Sequence, residues 1–89
     1  MKISTLEMIH ELLKKEVETR DNERKIRRKA YYEAMDYLEE IAAAVDDMKE
    51  ESMAAAKKAA DKAQAAYDEA RRQSNDADAA LREFEAQEF

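Results

Sequence analysis

Arginine, lysine and tyrosine side chains cluster in the first part of the chain in a pattern suited to a phosphate-bearing ligand. Arg24, Lys25 and Arg28 occur together, and Tyr31 and Tyr32 follow them directly. Guanidinium groups bind phosphate oxygens through two hydrogen bonds, and an aromatic ring stacks on a flat base. We therefore predict that this basic–aromatic face, defined by these five residues, binds a nucleotide or a short oligonucleotide.

The same cluster has a second explanation, which is pairing with acidic side chains. Six cations and two acids give residues 20–29 a net charge of +4, so the other residues carry −10 of the total charge of −6. Acidic residues of a neighbouring helix or subunit can pair with these cations, and charge runs on helices are usually solvated. The sequence leaves both explanations open.

One histidine has a spacing that occurs in metal sites. Glu7 and His10 stand three residues apart, as in the ferritin-like di-metal bundles. Such sites also need inward-facing Glu residues on other helices, and only Glu33 lies at the edge of an apolar seam. We therefore predict no metal site and no cofactor, with His10 at the surface or at an interface.

Nucleophilic catalysis has little support in the sequence. The chain has no Cys. Its serines, Ser4, Ser52 and Ser74, fall near predicted helix ends or frayed segments without a His nearby in sequence. A thin, Ala-rich bundle also has little room for the enclosed pocket that catalysis favours. We predict that the protein is not an enzyme and has no catalytic residues.

The composition favours an all-α fold. All 89 residues include no Gly and no Pro, which tight turns and phosphate-cradling loops rely on. Long helices are then the default. No apolar run approaches the ~20 residues that span a bilayer, which predicts no membrane partner. The absence of Cys fits a cytoplasmic location, in the host cell if a phage encodes the protein.

The size and charge of the chain bear on its partners. A chain of 10.3 kDa in which Ala is by far the commonest hydrophobic residue buries little area by itself, so we expect one domain over residues 1–89 that assembles as a homo-oligomer. The net charge of −6 disfavours general DNA binding.

Three helices are predicted. Ser4 and Glu7 match a capping box, which begins a short helix 1 over about 5–19. Asp21 or Asn22 can cap helix 2, over about 22–49, although nothing in this stretch forbids a continuous helix. Helix 3 covers about 52–85.

Apolar residues recur at heptad spacing in both long helices, which is typical of coiled coils. One seam of helix 2 contains Ala30, Ala34, Tyr37, Ile41, Ala44 and Met48, and a second stripe contains Tyr31, Met35, Leu38, Ala42 and Val45. The seam of helix 3 contains Met53, Ala56, Ala60, Ala63, Tyr67, Ala70, Ser74, Ala77, Leu81 and Phe84. Its small residues predict a close helix–helix approach.

A turn between the two long helices is predicted within residues 46–52. Folding near residue 51 places the basic residues 24–29 beside Asp76 and Asp78, so an antiparallel hairpin is charge-complementary. A straight helix over 22–84 in a parallel coiled coil would stack the basic segments of the two chains. We favour the hairpin and keep the long coiled coil as the alternative.

Two further surfaces suggest a different class of function. Residues 30–56 are strongly acidic and could imitate nucleic acid toward a protein partner. Tyr31, Met35 and Leu38 would form an apolar patch if helix 1 left them uncovered. These features predict a protein-binding inhibitor or adaptor, or a purely structural coiled coil, as alternatives to ligand capture.

The chain as a whole resembles small helical accessory proteins of phages and prophages. The likeness lies in the compact, acidic chain without Gly or Pro and in the predicted helix order, and no shared motif carries a functional residue over. Some proteins of this type sequester cyclic nucleotide immune signals, and others inhibit CRISPR effectors. The resemblance thus implies an anti-defence role, with a cyclic nucleotide as the captured ligand.

Overall fold

The protein folds into two long α-helices, as seen in a computed structural model that describes residues 4–43 and 49–89. Helix α1 runs over Thr5–Ala43 and helix α2 over Lys49–Glu88. They pack antiparallel along a molecule 69 Å long. The predicted all-α helical hairpin is therefore confirmed, and the straight rod is not what the chain forms.

The predicted break between helix 1 and helix 2 is wrong, because α1 is continuous through residues 19–22. The stretch contains no Gly or Pro, and pairs within the helix stabilise it. Arg20 Nε donates to Glu16 Oε1 at 2.6 Å, and Asp21 accepts from Arg24 and Lys25. Pairs at these spacings favour the helix, so Asp21 reinforces it instead of capping a new one.

The N-terminus of α1 has a side-chain hydrogen bond of the capping type. The backbone N–H of Glu7 donates to Ser4 Oγ at 3.2 Å. The backbone N–H of Met8 donates to the Ser4 carbonyl oxygen at 3.0 Å. Ser4 Oγ thus satisfies one of the amides that the first helical turn otherwise leaves without a partner, and its carbonyl accepts the first regular bond of the helix.

The predicted seam of α2 is confirmed as its buried side. Ala56 and Ala60 are each 3% exposed, and Ala70, Ser74 and Ala77 are also buried. Half-buried residues complete the seam at both ends and between these five: Met53, Ala63, Tyr67, Leu81 and Phe84. Small side chains on α2 let α1 approach closely, as their spacing predicted.

The predicted seam of α1 is confirmed at Ala34 and Ile41 and is wrong at its other two described residues, because the helix is rotated from the predicted orientation. Ala30 and Tyr37, predicted in the seam, are exposed, whereas Tyr31 and Leu38 from the second stripe are half-buried. The side of α1 toward α2 follows one heptad series, in which only Arg27 is exposed and the other members are half-buried: His10, Leu13, Val17, Arg20, Arg24, Tyr31, Ala34, Leu38 and Ile41. A continuous helix must keep one face on α2 from end to end, and this series meets that condition. The predicted seam residues Ala44 and Met48 lie outside the described residues.

The helices pair in a register set by contacts far apart in sequence. His10 meets Glu85, Arg20 meets Gln73, and Tyr31 meets Tyr67. Residues 24–29 therefore do not all lie beside Asp76 and Asp78, although Arg24 and Asp78 line one groove. Helix α1 ends at Ala43 and α2 begins at Lys49, so the fold reverses earlier than residue 51. The part of the predicted turn at 46–48 lies outside the described residues, and 49–52 is helical.

The hydrophobic core is thin. Among the described residues no large side chain is fully buried, and the buried apolar residues are all alanines. Several large apolar side chains of α1 stay exposed to solvent, including Leu12, Ile26 and Tyr37. In the described part of the chain no helix has the length and apolarity needed to cross a membrane.

Candidate functional site

The five residues of the basic–aromatic face divide between two sides of α1. Lys25, Arg28 and Tyr32 lie on its outer side, with Tyr32 56% exposed. Arg24 and Tyr31 are half-buried and lie toward α2. The structure therefore brings three of the predicted site residues together directly and places the other two alongside them, at the contact between the helices.

Three tyrosine rings form a row that connects these two sides. The ring centroids of Tyr32 and Tyr31 are 5.7 Å apart with an interplanar angle of 30°, and those of Tyr31 and Tyr67 are 6.0 Å apart at 26°. These separations are typical of interacting aromatic pairs. This tyrosine row begins at the exposed outer side of α1 and ends on α2.

A cation continues the row on α2. The guanidinium carbon of Arg71 lies 5.8 Å from the centre of the Tyr67 ring, within the range of a cation–π interaction. Sequence reasoning placed Tyr67 in the α2 seam and gave Arg71 no role. Only the register of the two helices brings both residues to the site, and no local sequence signal reveals it.

An open depression surrounds Tyr32. Its volume is about 600 Å³, and its lining is Lys25, Arg28, Lys29, Tyr32, Glu33 and Asp36. Three cations and two carboxylates give the lining a formal charge of +1. The depression therefore combines an exposed ring with cationic groups within reach of an anion lying on it.

Asp21 provides the strongest local counter-charge. Its Oδ1 accepts from Arg24 Nη2 at 2.6 Å, and its Oδ2 lies 3.2 Å from Lys25 Nζ. The hydrogen bond from Arg24, followed by that from Lys25, lowers the pKa of Asp21 below its ordinary value of 3.8. Arg24 and Lys25 therefore form salt bridges, as the second explanation of the cluster predicted. Their acid lies in the same helix, however, and not in a neighbouring helix or subunit.

A second groove runs between the helices beside this pair. It encloses about 650 Å³, and its lining is Lys14, Val17, Glu18, Asp21, Arg24, Arg71, Ser74, Asn75, Asp78 and Leu81. The three cations and three carboxylates cancel in formal charge. Ser74 is 9% exposed and lies at the buried side of α2. The groove can bind polar groups, but its charges favour neither anions nor cations.

The predicted metal-type pair takes another arrangement. His10 Nε2 lies 3.1 Å from Glu85 Oε2 of α2, while the Glu7 amide bonds to Ser4. The His10 ring forms a cluster of three with Phe84 and Phe89: its centroid is 5.9 Å from that of Phe84 and 4.6 Å from that of Phe89, and the two phenylalanine centroids are 5.8 Å apart. In residues 4–43 and 49–89 no group of three His, Cys, Asp or Glu side chains could hold a metal ion.

Comparison with known proteins gives no relative from which a functional residue could be transferred. No protein-family model, no curated protein and no solved structure matches this chain. The chemistry of the site therefore follows from its own residues: the tyrosine row, the cations around Tyr32 and the counter-charge of Asp21.

Proposed function

We propose that the protein is a non-enzymatic binding protein that captures a phosphate-bearing ligand, such as a nucleotide or cyclic nucleotide, at the basic–aromatic face. The observation that carries this proposal is the tyrosine row, whose exposed member Tyr32 lies among Lys25, Arg28 and Lys29. An exposed ring backed by two further rings is a firm platform for a base, and the adjacent cations suit its phosphates.

The residues differ in the roles that their surroundings allow. Arg24 and Lys25 share Asp21, so a phosphate must compete with that carboxylate for them. Arg28 lies in the depression with Tyr32 and can present both guanidinium nitrogens to one phosphate. Tyr32 is the stacking ring, and Tyr31 and Tyr67 hold it in place from behind.

The resemblance to phage and prophage accessory proteins supports the biological setting of this proposal. Capture of a cyclic nucleotide immune signal without hydrolysis would withdraw that signal from its receptor. The binding would take place in the cytoplasm of the host cell, where such a signal acts. Sequestration of this kind needs affinity and abundance, and it needs no catalytic group.

Binding can be tested with mononucleotides, cyclic dinucleotides and short labelled oligonucleotides by calorimetry and fluorescence anisotropy at low and high salt. Arg28→Glu should abolish binding, because it places a negative charge beside the ligand phosphate, and helicity should stay unchanged. Arg82→Glu is the matched control. Arg82 is exposed near the C-terminal end of α2, outside the depression around Tyr32, and it pairs with Asp78. No binding by the native protein at low salt, or equal loss in both variants, would refute ligand capture.

A protein-binding role is the second candidate, and the exposed apolar side chains of α1 favour it. Leu12, Ile26 and Tyr37 are 63%, 61% and 58% exposed. An inhibitor or adaptor of a nucleic-acid-binding effector would use such side chains together with the acidic part of the chain. This candidate predicts no salt-sensitive nucleotide binding and a protein target in pull-downs that Ile26→Lys removes.

A further inference from the structure

One flank of the hairpin, on the opposite side from the charged groove, presents large apolar side chains to solvent. Ile9, Ala30 and Tyr37 occupy one heptad position of α1, at intervals of twenty-one and seven residues, and Leu12 and Ile26 occupy the adjacent outer position. We name these five residues the apolar flank. All are exposed, and Leu12 and Ile26 have about three fifths of their surface in water.

The neighbouring surface of α2 allows close approach to this flank. Ala59, Ala63 and Ala66 line a groove of about 260 Å³ together with Ala30, Arg27 and Lys62. Along the whole helix the α2 position that borders the flank is uncharged: Ser52, Ala59, Ala66, Gln73, Ala80 and Gln87. Charged residues make up 43% of the chain, so an uncharged position along the whole helix is notable. A partner that covers this position of α2 removes no charged group there from water.

Two carboxylates of α1, Glu16 and Glu23, share the heptad position of Ile9 and Tyr37, and both are paired within the helix. Arg20 Nε bonds to Glu16 Oε1 at 2.6 Å, and Arg27 Nε bonds to Glu23 Oε1 at 2.9 Å. Each pair is neutral as a unit. The central part of the flank can therefore face an identical surface without strong like-charge repulsion.

We propose that the apolar flank binds a second copy of this chain in an antiparallel arrangement, which forms a four-helix bundle. Ile9 and Tyr37 lie fourteen residues on either side of Glu23, and Glu23 shares a groove with Gln73. A two-fold axis at this level places Ile9 of one copy against Tyr37 of the other. Apolar side chains at opposite ends of the hairpin thereby bury each other.

The same axis brings opposite charges together on α2. Lys62 and Glu83 occupy the same outer heptad position, eleven residues before and ten residues after Gln73. In the antiparallel pair, Lys62 of one copy faces Glu83 of the other, and this contact occurs twice. The same axis places Glu69 against Asp76, and Arg72, which pairs with Glu69 in its own helix, offsets the repulsion between these two acids. Complementary charges at such rim positions fix the register of a bundle more than they add affinity.

The side of α1 that carries the flank is long enough for a stable dimer interface. Helix α1 has 39 residues and is therefore ~58 Å long. A contact strip one helix diameter wide along that length buries ~1,300 Å² when both copies are counted. This total lies within the ~1,200–2,000 Å² that specific protein interfaces bury. The buried apolar residues of one chain are alanines, and no large side chain of the described residues is fully buried. A second copy would therefore bury large apolar side chains that one chain leaves exposed. The inference is independent of the proposed ligand site, which lies on the other side of the hairpin.

The first test is the mass of the full-length protein in solution, combined with single-cysteine trapping. Light scattering should give twice 10.3 kDa at micromolar concentration. Because the chain has no native Cys, Glu23→Cys introduces one thiol near the proposed axis, and it should form a disulfide dimer readily on oxidation. Asn22→Cys, one residue away on the outer side of α1, should not.

The second test is a charge exchange between Lys62 and Glu83. Lys62→Glu should raise the dimer dissociation constant at least ~tenfold, because it creates two like-charge contacts in the pair. The double variant Lys62→Glu/Glu83→Lys should restore dimerisation. Arg28→Glu should leave the dimer intact, which separates failure of this inference from failure of ligand capture.

Three results would overturn the inference. One is a monomer at all concentrations up to the millimolar range. Another is a dimer in which Asn22→Cys forms disulfides as fast as Glu23→Cys, which would place a different surface at the contact. The third is a double charge variant that dimerises no better than Lys62→Glu alone, because a register based on this pair requires rescue.

Discussion

His10 and Glu85, which are 75 positions apart in sequence, meet at the open end of the hairpin with 3.1 Å between Nε2 and Oε2. Phe84 of α2 and Phe89, which follows the end of that helix, form an aromatic cluster with the imidazole. Helix ends fray unless they are held, and this group of side chains ties the first turns of α1 to the last turns of α2. The contact therefore determines how far helix pairing extends along the molecule.

Glu85→Gln should weaken the open end of the hairpin by ~1 kcal/mol, because a charge-assisted hydrogen bond becomes a neutral one or is lost. Hydrogen exchange should become faster at the amides around His10 and stay unchanged around Tyr31. Glu88→Gln, three residues later, is the control. A double-mutant cycle with His10→Ala measures the coupling, and a value of zero would mean that the contact does not hold the helix ends together.

Asp21→Asn should remove an acid-sensitive part of the stability. Arg24 and Lys25 hold the pKa of Asp21 below its ordinary value of 3.8 in the folded chain. A lowered folded-state pKa stabilises the fold above the unfolded-state value, and that stabilisation is lost as the pH falls through the folded-state value. The difference in unfolding free energy between native protein and variant should therefore be full at pH 7 and shrink below about pH 3.8.

Urea titrations at several pH values and at two salt concentrations measure this effect. Asp36→Asn is the control for the loss of a surface carboxylate outside the Arg24–Lys25 pair. High salt should reduce the Asp21 effect, because an exposed pair is screened. A difference that stays constant between pH 7 and pH 2.5 would rule out the ion pairs as its source.

Ala60→Leu should separate the helices at a buried position of their contact. Ala60 is 3% exposed at the seam of α2, and a larger side chain there forces the backbones apart at a cost of ~1–3 kcal/mol. Ala65→Leu adds the same atoms at an exposed position of the same helix and should leave stability within ~0.5 kcal/mol. Equal unfolding midpoints for the two variants would contradict the close packing at Ala60.

Tyr32→Ala should weaken nucleotide binding by about tenfold or more, because stacking of one base contributes ~1–3 kcal/mol. Tyr37→Ala is a close match, since the two rings are 56% and 58% exposed on the same helix, and it should leave the affinity unchanged. Thermal unfolding of Tyr32→Ala should stay close to that of the native protein. A variant that binds as tightly as the native chain would show that Tyr32 is not the stacking ring.

The spacing of apolar residues was sufficient to predict the buried side of α2, but it was not sufficient to predict that of α1. In α2 the apolar series from Met53 to Phe84 alternates steps of three and four residues and leaves one possible buried side, which contains Ala56, Ala60 and Ala70. In α1, apolar residues occur on two stripes, and the middle of the true seam contains Arg20 and Arg24. A charged residue in a seam has no hydrophobic signal, so the pattern alone selected the wrong stripe near Tyr37.

The candidate site was predicted only in part, because some of its residues come together only through the register of the two helices. Lys25, Arg28 and Tyr32 lie within two helical turns, so their shared face follows from the helix itself. Tyr67 and Arg71 reach the site from α2, and a shift of the register by one heptad would bring other residues there. The partner of Arg24 also differs from the prediction. Arg24 pairs with Asp21, three residues earlier in the same helix, and not with an acid of α2.

The sequence by itself determined that this chain is helical, charged and thinly packed, because helix propensity, the absence of Gly and Pro, and apolar spacing all act over a few residues. Only the tertiary structure decided that α1 is unbroken, which of its sides faces α2, and that Tyr31 meets Tyr67 and His10 meets Glu85. Those features depend on the register of two long helices. Register is set by the sum of many weak contacts along the whole interface, and no single segment of the sequence contains that sum.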